Sequence, residues 1–125
     1  MRRLNILVVE DDGDERTLYG YMLTAAGYKV QAVSNGLEAL AEIQVNRPDV
    51  IVTDILMPVL NGLDLIAAVR SNDELADLPI VVITSFGDNL REEVRAAGAT
   101  DVIDKSTDLE RMREAIEAAV PHSQL

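Results

Sequence analysis

Acids, a hydroxyl and an ammonium stand at the ends of apolar runs in this 125-residue chain. Glu10-Asp11-Asp12 follow Ile6–Val9, Asp54 follows Val50–Thr53, Thr84 closes Ile80–Thr84, and Asp104-Lys105 follow Val102–Ile103. Asp54 also precedes Ile55-Leu56-Met57-Pro58, so its carboxylate lies in an apolar stretch where charge is costly without a partner. Asp12 and Asp14 read differently, as acids at a helix start that cap N–H groups and favour the helix dipole. Two carboxylates about 4 Å apart repel by about 4 kcal/mol at an effective dielectric near 20, so Glu10, Asp11 and Asp54 together need a cation. Lys105 is one of two lysines against nine arginines, a flexible point charge where guanidinium is the usual choice. Carboxylates without histidine or sulfur suit a hard cation, and a shallow rim completed by water and phosphate suits Mg²⁺ better than Ca²⁺. With such a charge present, one carboxylate oxygen can attack phosphorus, while Thr84 and Lys105 hold the equatorial oxygens of the transferring group.

These residues meet only if the fold brings the run ends to one edge. Between the apolar runs lie segments with helical periodicity, giving strand–helix five times at about 25 residues per unit. The expected helical stripes are Leu18, Tyr21, Met22 and Ala25; then Leu37, Leu40 and Ala41; then Gly62, Ile66 and Val69. A fourth helix runs from Asn89 to Ala97 and stops at Gly98, as Gly27 stops the first, and a fifth carries Leu109, Met112, Ile116 and Val120 before Pro121. Short β-branched strands between helices predict a parallel sheet covered on both faces. Val50–Thr53 and Ile80–Thr84 read as buried central strands, whereas the alternating Lys29–Val33 reads as an edge. In an open parallel sheet ligands bind beyond the carboxyl ends of the strands, where the polar residues above fall.

The composition narrows the options. The chain reads as one domain over residues 1–125, with 121–125 a short tail. There is no cysteine, and the single histidine, His122, lies in that tail, so thiolate metal sites, multi-histidine zinc sites and histidine triads are not expected. Acids number 22 against 11 basic residues, a net charge of −11, which argues against direct nucleic-acid binding. The apolar stretch Ile6–Val9 is too short for a signal peptide or a membrane span, so no membrane insertion and a cytoplasmic location are expected.

Taken in order, Ile6-Leu7-Val8-Val9-Glu10-Asp11-Asp12, Pro48–Asp54, Asp54-Ile55-Leu56-Met57-Pro58-Val59-Leu60-Asn61-Gly62, Val81–Ser85 and Gly98–Lys105 resemble the receiver domain of two-component response regulators, over essentially the whole chain. The resemblance implies a single doubly wound (βα)5 flavodoxin-like α/β domain with a parallel sheet of order 2-1-3-4-5. It implies that Asp54 accepts a phosphoryl group from a phosphohistidine on a sensor histidine kinase or histidine phosphotransfer protein. Asp11, Asp54 and the backbone carbonyl of Leu56 would coordinate Mg²⁺, with Glu10 acting mostly through a metal-bound water. Thr84 would hydrogen-bond the phosphoryl group and Lys105 would pair with it. The chain would then be a switch, with self-catalysed phosphotransfer and slow autodephosphorylation as its only chemistry. Its output surface would be residues 89–97, 102–103 and 108–120, addressing a downstream protein or domain or a second copy of the chain.

Three positions depart from the family pattern. Ser106 replaces the proline after the lysine, and since a non-proline cis bond costs roughly 2.5–4 kcal/mol, a trans Lys105–Ser106 peptide is expected. Val102 replaces the aromatic residue whose swing accompanies the threonine. Leu56 and Phe86 are apolar where they should flank the phosphoryl group, and obstructing water there would slow dephosphorylation. Val102 and Ser106 also keep open a receiver-like scaffold that binds partners without phosphorylation. A phosphatase reading lacks a second acid two residues after Asp54, and a flavin-protein reading lacks a phosphate cradle.

Overall fold

In the computed structural model, residues 3–85 and 88–121 are described, without the side chains of Asp88 and Asn89; Phe86 and His122 lie outside the described residues. Strands and helices alternate: β1 (Asn5–Val9), α1 (Gly13–Ala25), β2 (Lys29–Val33), α2 (Gly36–Val45), β3 (Val50–Thr53), α3 (Gly62–Ser71), β4 (Ile80–Thr84), α4 (Asp88–Ala97), β5 (Asp101–Asp104) and α5 (Leu109–Ala119). The strands form a parallel sheet of order β2-β1-β3-β4-β5, as the resemblance implies.

The two-residue strand period divides the core. Leu7, Val9, Ile51, Ile80, Val82 and Val102 face α2, α3 and α4, packing with Ala39, Ile43, Leu65, Ile66, Val69 and Val94. Ile6, Val8, Val50, Val52, Val81, Ile83 and Ile103 face α1 and α5, packing with Tyr19, Leu23, Met112, Ala115 and Ile116. Every residue of β3 and β4 is buried, and β2 is a half-exposed edge, both as the residue pattern predicts.

Side-chain oxygens start the helices. Asp12, Asn35, Asn61 and Asp108 each accept a hydrogen bond from the backbone N–H three residues on, so Asp12 does cap α1. Gly27 and Gly98, with φ of 104° and 120°, take the left-handed conformation that ends α1 and α4. Asp49 is buried and ties β1 to β3: its carboxylate accepts from Asn5 N at 2.7 Å, and its N–H donates to Asn5 O at 2.8 Å.

Two expected helix faces are corrected. In α1 the residues against the sheet are Tyr19 and Leu23, while Leu18 and Tyr21 are exposed. In α2 they are Ala39 and Ile43, while Leu37 is exposed and Leu40 only partly buried. Both helices carry more than one apolar stripe, and periodicity cannot say which one turns inward. For α2 the rotation is set at its first turn. Gly36 N donates to Leu60 O at 3.0 Å, and a Cβ on Gly36 would lie 2.6 Å from that oxygen. The faces expected for α3 and α5 are the buried ones.

Candidate functional site

The ladder β2-β1-β3-β4-β5 places the ends of β1, β3, β4 and β5 side by side. Hydrogen bonds extend the ladder past the strand ends: Glu10 N donates to Val33 O and Asp54 N to Val9 O, both at 3.1 Å. Thr84 pairs in register with Asp104, and Lys105 N donates to Thr84 O at 3.1 Å. Glu10, Asp54, Thr84 and Lys105, distant in sequence, thus occupy one rim.

Lys105 is the centre of the site. Its Nζ lies 2.8 Å from Asp54 Oδ2, 3.1 Å from Glu10 Oε1 and 2.7 Å from Glu15 Oε2. Among the described residues, Glu10, Glu15 and Asp54 form an acid group whose oxygens lie within 4.8 Å of one another. Burial opposes the lysine charge, but hydrogen bonds to Asp54, Glu15 and Glu10 outweigh it and hold the ammonium well above the usual lysine value.

The carboxylates differ in setting. Asp54 is buried, and its Oδ1 accepts from Ile55 N at 2.7 Å, which leaves Oδ2 for the lysine. Glu10 is only 2% exposed. Burial foremost pushes its carboxyl up to about 7, with Asp54 adding to the rise and the hydrogen bonds from Asp12 N and Lys105 opposing it. Asp11 is exposed and stands apart from the three-acid group. Thr84 is buried at the end of β4, and Leu56 is exposed on the loop after β3.

Close packing fixes the backbone beneath Asp54. Gly62 N donates to Ile55 O at 2.8 Å, and a Cβ on Gly62 would lie 2.3 Å from Asp54 O, so the start of α3 admits no side chain there. In the same loop Val59 has φ of 72°, a left-handed conformation that a β-branched residue rarely adopts. At β5 the Lys105–Ser106 peptide is trans, as expected. The loop turns instead through Asp104 Oδ1, which accepts from Ser106 N at 2.8 Å and Ser106 Oγ at 2.7 Å.

Two residues of the site were not foreseen. Glu15 reaches Lys105 from the first turn of α1, and Arg16 Nη1 donates to Glu10 O at 2.9 Å and Asp11 O at 3.4 Å. In the sequence both read as ordinary helix-surface residues. Only the placement of α1 against the sheet brings them here.

An acidic cluster of hard oxygen donors, with no nitrogen or sulfur ligand, is compatible with Mg²⁺. A family model described as the response regulator receiver domain matches residues 6–117. The polar-differentiation response regulator DivK of Brucella anthropi is 32% identical over 117 residues, covering 91% of this chain and 94% of that protein. Response regulator MprA of Mycobacterium avium is 40% identical over 111 residues, covering 87% of this chain and 47% of that protein; the chain spans about half of MprA's length. Chemotaxis response regulator CheY4 of Vibrio cholerae shares the fold with a TM-score of 0.87 at 30% identity, over 95% of this chain and 100% of that one. The receiver domain of a Pseudomonas aeruginosa sensor histidine kinase, crystallised with a magnesium ion coordinated in its active-site cleft, gives a TM-score of 0.86 at 27% identity over 94% and 98% of the chains. By sequence motifs, fold and the extent of these matches, this chain belongs to the response regulator receiver domain family.

Proposed function

We propose that this chain is the phosphoacceptor of a two-component phosphorelay, taking a phosphoryl group onto Asp54 from a phosphohistidine on a sensor histidine kinase or histidine phosphotransfer protein. The carrying observation is the Asp54 carboxylate, held by Ile55 N–H on one oxygen and by Lys105 at 2.8 Å on the other, at the carboxyl end of β3. A carboxylate oxygen of Asp54 forms the new P–O bond as the donor's P–N bond breaks, and that electron pair leaves with the imidazole nitrogen. Lys105 then holds a phosphoryl oxygen, and Thr84, backbone-bonded to Lys105, donates its hydroxyl to another.

Glu10, Asp11 and Asp54, with the Leu56 carbonyl, would hold Mg²⁺, whose positive charge screens the incoming phosphoryl group from the acids. The Pseudomonas receiver domain with magnesium coordinated in its active-site cleft supports a magnesium site in this fold, while the ligand set is carried from the family resemblance. The chain acts on no separate substrate. Leu56, two residues beyond the acceptor and exposed, is apolar where the family resemblance puts a residue flanking the phosphoryl group, and that supports slow autodephosphorylation.

Output would pass through α4, β5 and α5. Val102 is buried in the core and offers no aromatic swing, so transmission falls to charged links between these elements. The guanidinium of Arg91 donates to the Val102 carbonyl, and Arg95 and Arg111 lie 2.7 Å and 3.6 Å from the carboxylate of Asp101. The surface would address an output protein or domain, or a second copy of the chain. No helix among the described residues is long and apolar enough to cross a membrane.

Exposure to acetyl phosphate or beryllofluoride with Mg²⁺ tests the reading. A stable adduct is expected on the wild-type chain by mass spectrometry or NMR, long-lived after donor removal, and none on Asp54→Asn. A wild-type chain that forms no adduct would instead favour the partner-binding scaffold.

A further inference from the structure

We infer that Glu15 is a positioning residue for phosphorylation: it holds Lys105 in the resting state and competes with the phosphoryl group for it. This rests on the phosphoacceptor reading of Asp54. An ammonium has three N–H donors, and here Asp54, Glu10 and Glu15 stand at 2.8, 3.1 and 2.7 Å from Lys105 Nζ. All three donors are therefore engaged before any phosphoryl group arrives. For Lys105 to bind a phosphoryl oxygen, one carboxylate must let go.

The three are not equally free to do so. Glu10 is buried, and its second oxygen accepts from Asp12 N at 3.1 Å. Asp54 is the acceptor itself, pinned by Ile55 N–H. Glu15 makes the shortest contact yet has the most exposed side chain of the three, at 39%, so it can swing into water at little desolvation cost. It sits in the first turn of α1, and its carboxylate reaches the lysine across 90 residues of sequence. Release of Glu15 frees a donor of Lys105 and withdraws a negative charge from beside Asp54. Both effects act in the same direction, so Glu15 raises the threshold for phosphorylation.

The bland alternative is a first-turn acid that merely favours the helix dipole. Two variants separate the cases. Glu15→Gln removes the charge and the ion pair, whereas Glu15→Asp keeps the charge but draws the carboxylate back by one methylene. Beryllofluoride affinity with Mg²⁺, followed by NMR on the full chain, and the rate of phosphorylation by acetyl phosphate are the readouts. Glu15→Gln is expected to bind about 3- to 10-fold more tightly and react correspondingly faster, with Glu15→Asp close behind. Wild-type affinity in both variants, with the wild-type adduct forming normally, would overturn the inference while leaving the phosphoacceptor reading intact. A gain in Glu15→Gln with none in Glu15→Asp would also overturn it, by reducing the effect to general charge repulsion. A wild-type chain that forms no adduct removes the phosphoacceptor reading, and the inference falls with it.

Discussion

Glu10 is the most perturbed acid of the site, its carboxyl pushed from the usual glutamate value of 4.5 up to about 7, chiefly by burial. The folded value lies above the unfolded one, so folding favours the protonated form. The stabilisation this confers is fully present below about 4.5 and is lost as pH rises through about 7. Urea denaturation of the metal-free chain at pH 5 and pH 8 is therefore expected to show lower stability at pH 8, by at most about 3 kcal/mol from this group. Glu10→Gln should flatten that difference; an unchanged pH dependence in this variant would show that Glu10 is not its source. The residue types at run ends announced Glu10, Asp54, Thr84 and Lys105, because a parallel sheet brings the carboxyl ends of its strands to one rim. Glu15 and Arg16 carried no such signal. An acid and an arginine in the first turns of a helix satisfy local rules anyway, and their reach to Lys105 and to the Glu10 carbonyl depends on how α1 docks.

The elements set how firmly the site is held. The loop between β3 and α3 is pressed beneath Asp54 at Gly62, yet it passes through Val59 at φ of 72°, 74% exposed to solvent. A left-handed conformation costs an ordinary L-residue roughly 1–2 kcal/mol, and a β-branched side chain is among the least suited to it. Asparagine tolerates that conformation, so Val59→Asn is expected to raise stability by about 1 kcal/mol in thermal or urea unfolding, with Asp54 still able to form its adduct. A loss of stability would mean that the Val59 side chain makes up for its backbone. Strand assignments were legible from the runs themselves, since β-branched residues between helical segments leave little choice. The faces of α1 and α2 were not. Leu18, Tyr21 and Leu37 are as apolar as Tyr19, Leu23 and Ile43, and the decision between them lay in contacts such as Gly36 against Leu60. For α3 and α5, one apolar stripe dominates and the reading was correct.

At the scale of the molecule, parallel topology does the gathering: each strand runs in the same direction, so each delivers its last residue to the same rim. Strand order came from family likeness and is the order found; strand lengths alone would have allowed others. The same gathering concentrates acid in a chain of net charge −11, with one ammonium among three carboxylates. A divalent ion that binds only the folded form stabilises it by about 2.7 kcal/mol at a hundredfold excess over its dissociation constant. Saturating Mg²⁺ is thus expected to raise the melting temperature of the wild-type chain, and less so that of Asp54→Asn. Equal shifts in both would place the ion elsewhere.

The two lysines of the chain end up with opposite tasks. Lys105 is enclosed by carboxylates, whereas Lys29 opens β2, the strand whose outer side has no neighbour in the sheet. A bare strand margin invites a second molecule to zip onto it, and an exposed lysine makes such stacking costly by forcing charges together and stripping their water. At the opposite margin β5 is four residues long and bears aspartate at both ends. These guarded margins keep the sheet from growing between molecules, so the open end of the sheet stays a surface of single molecules.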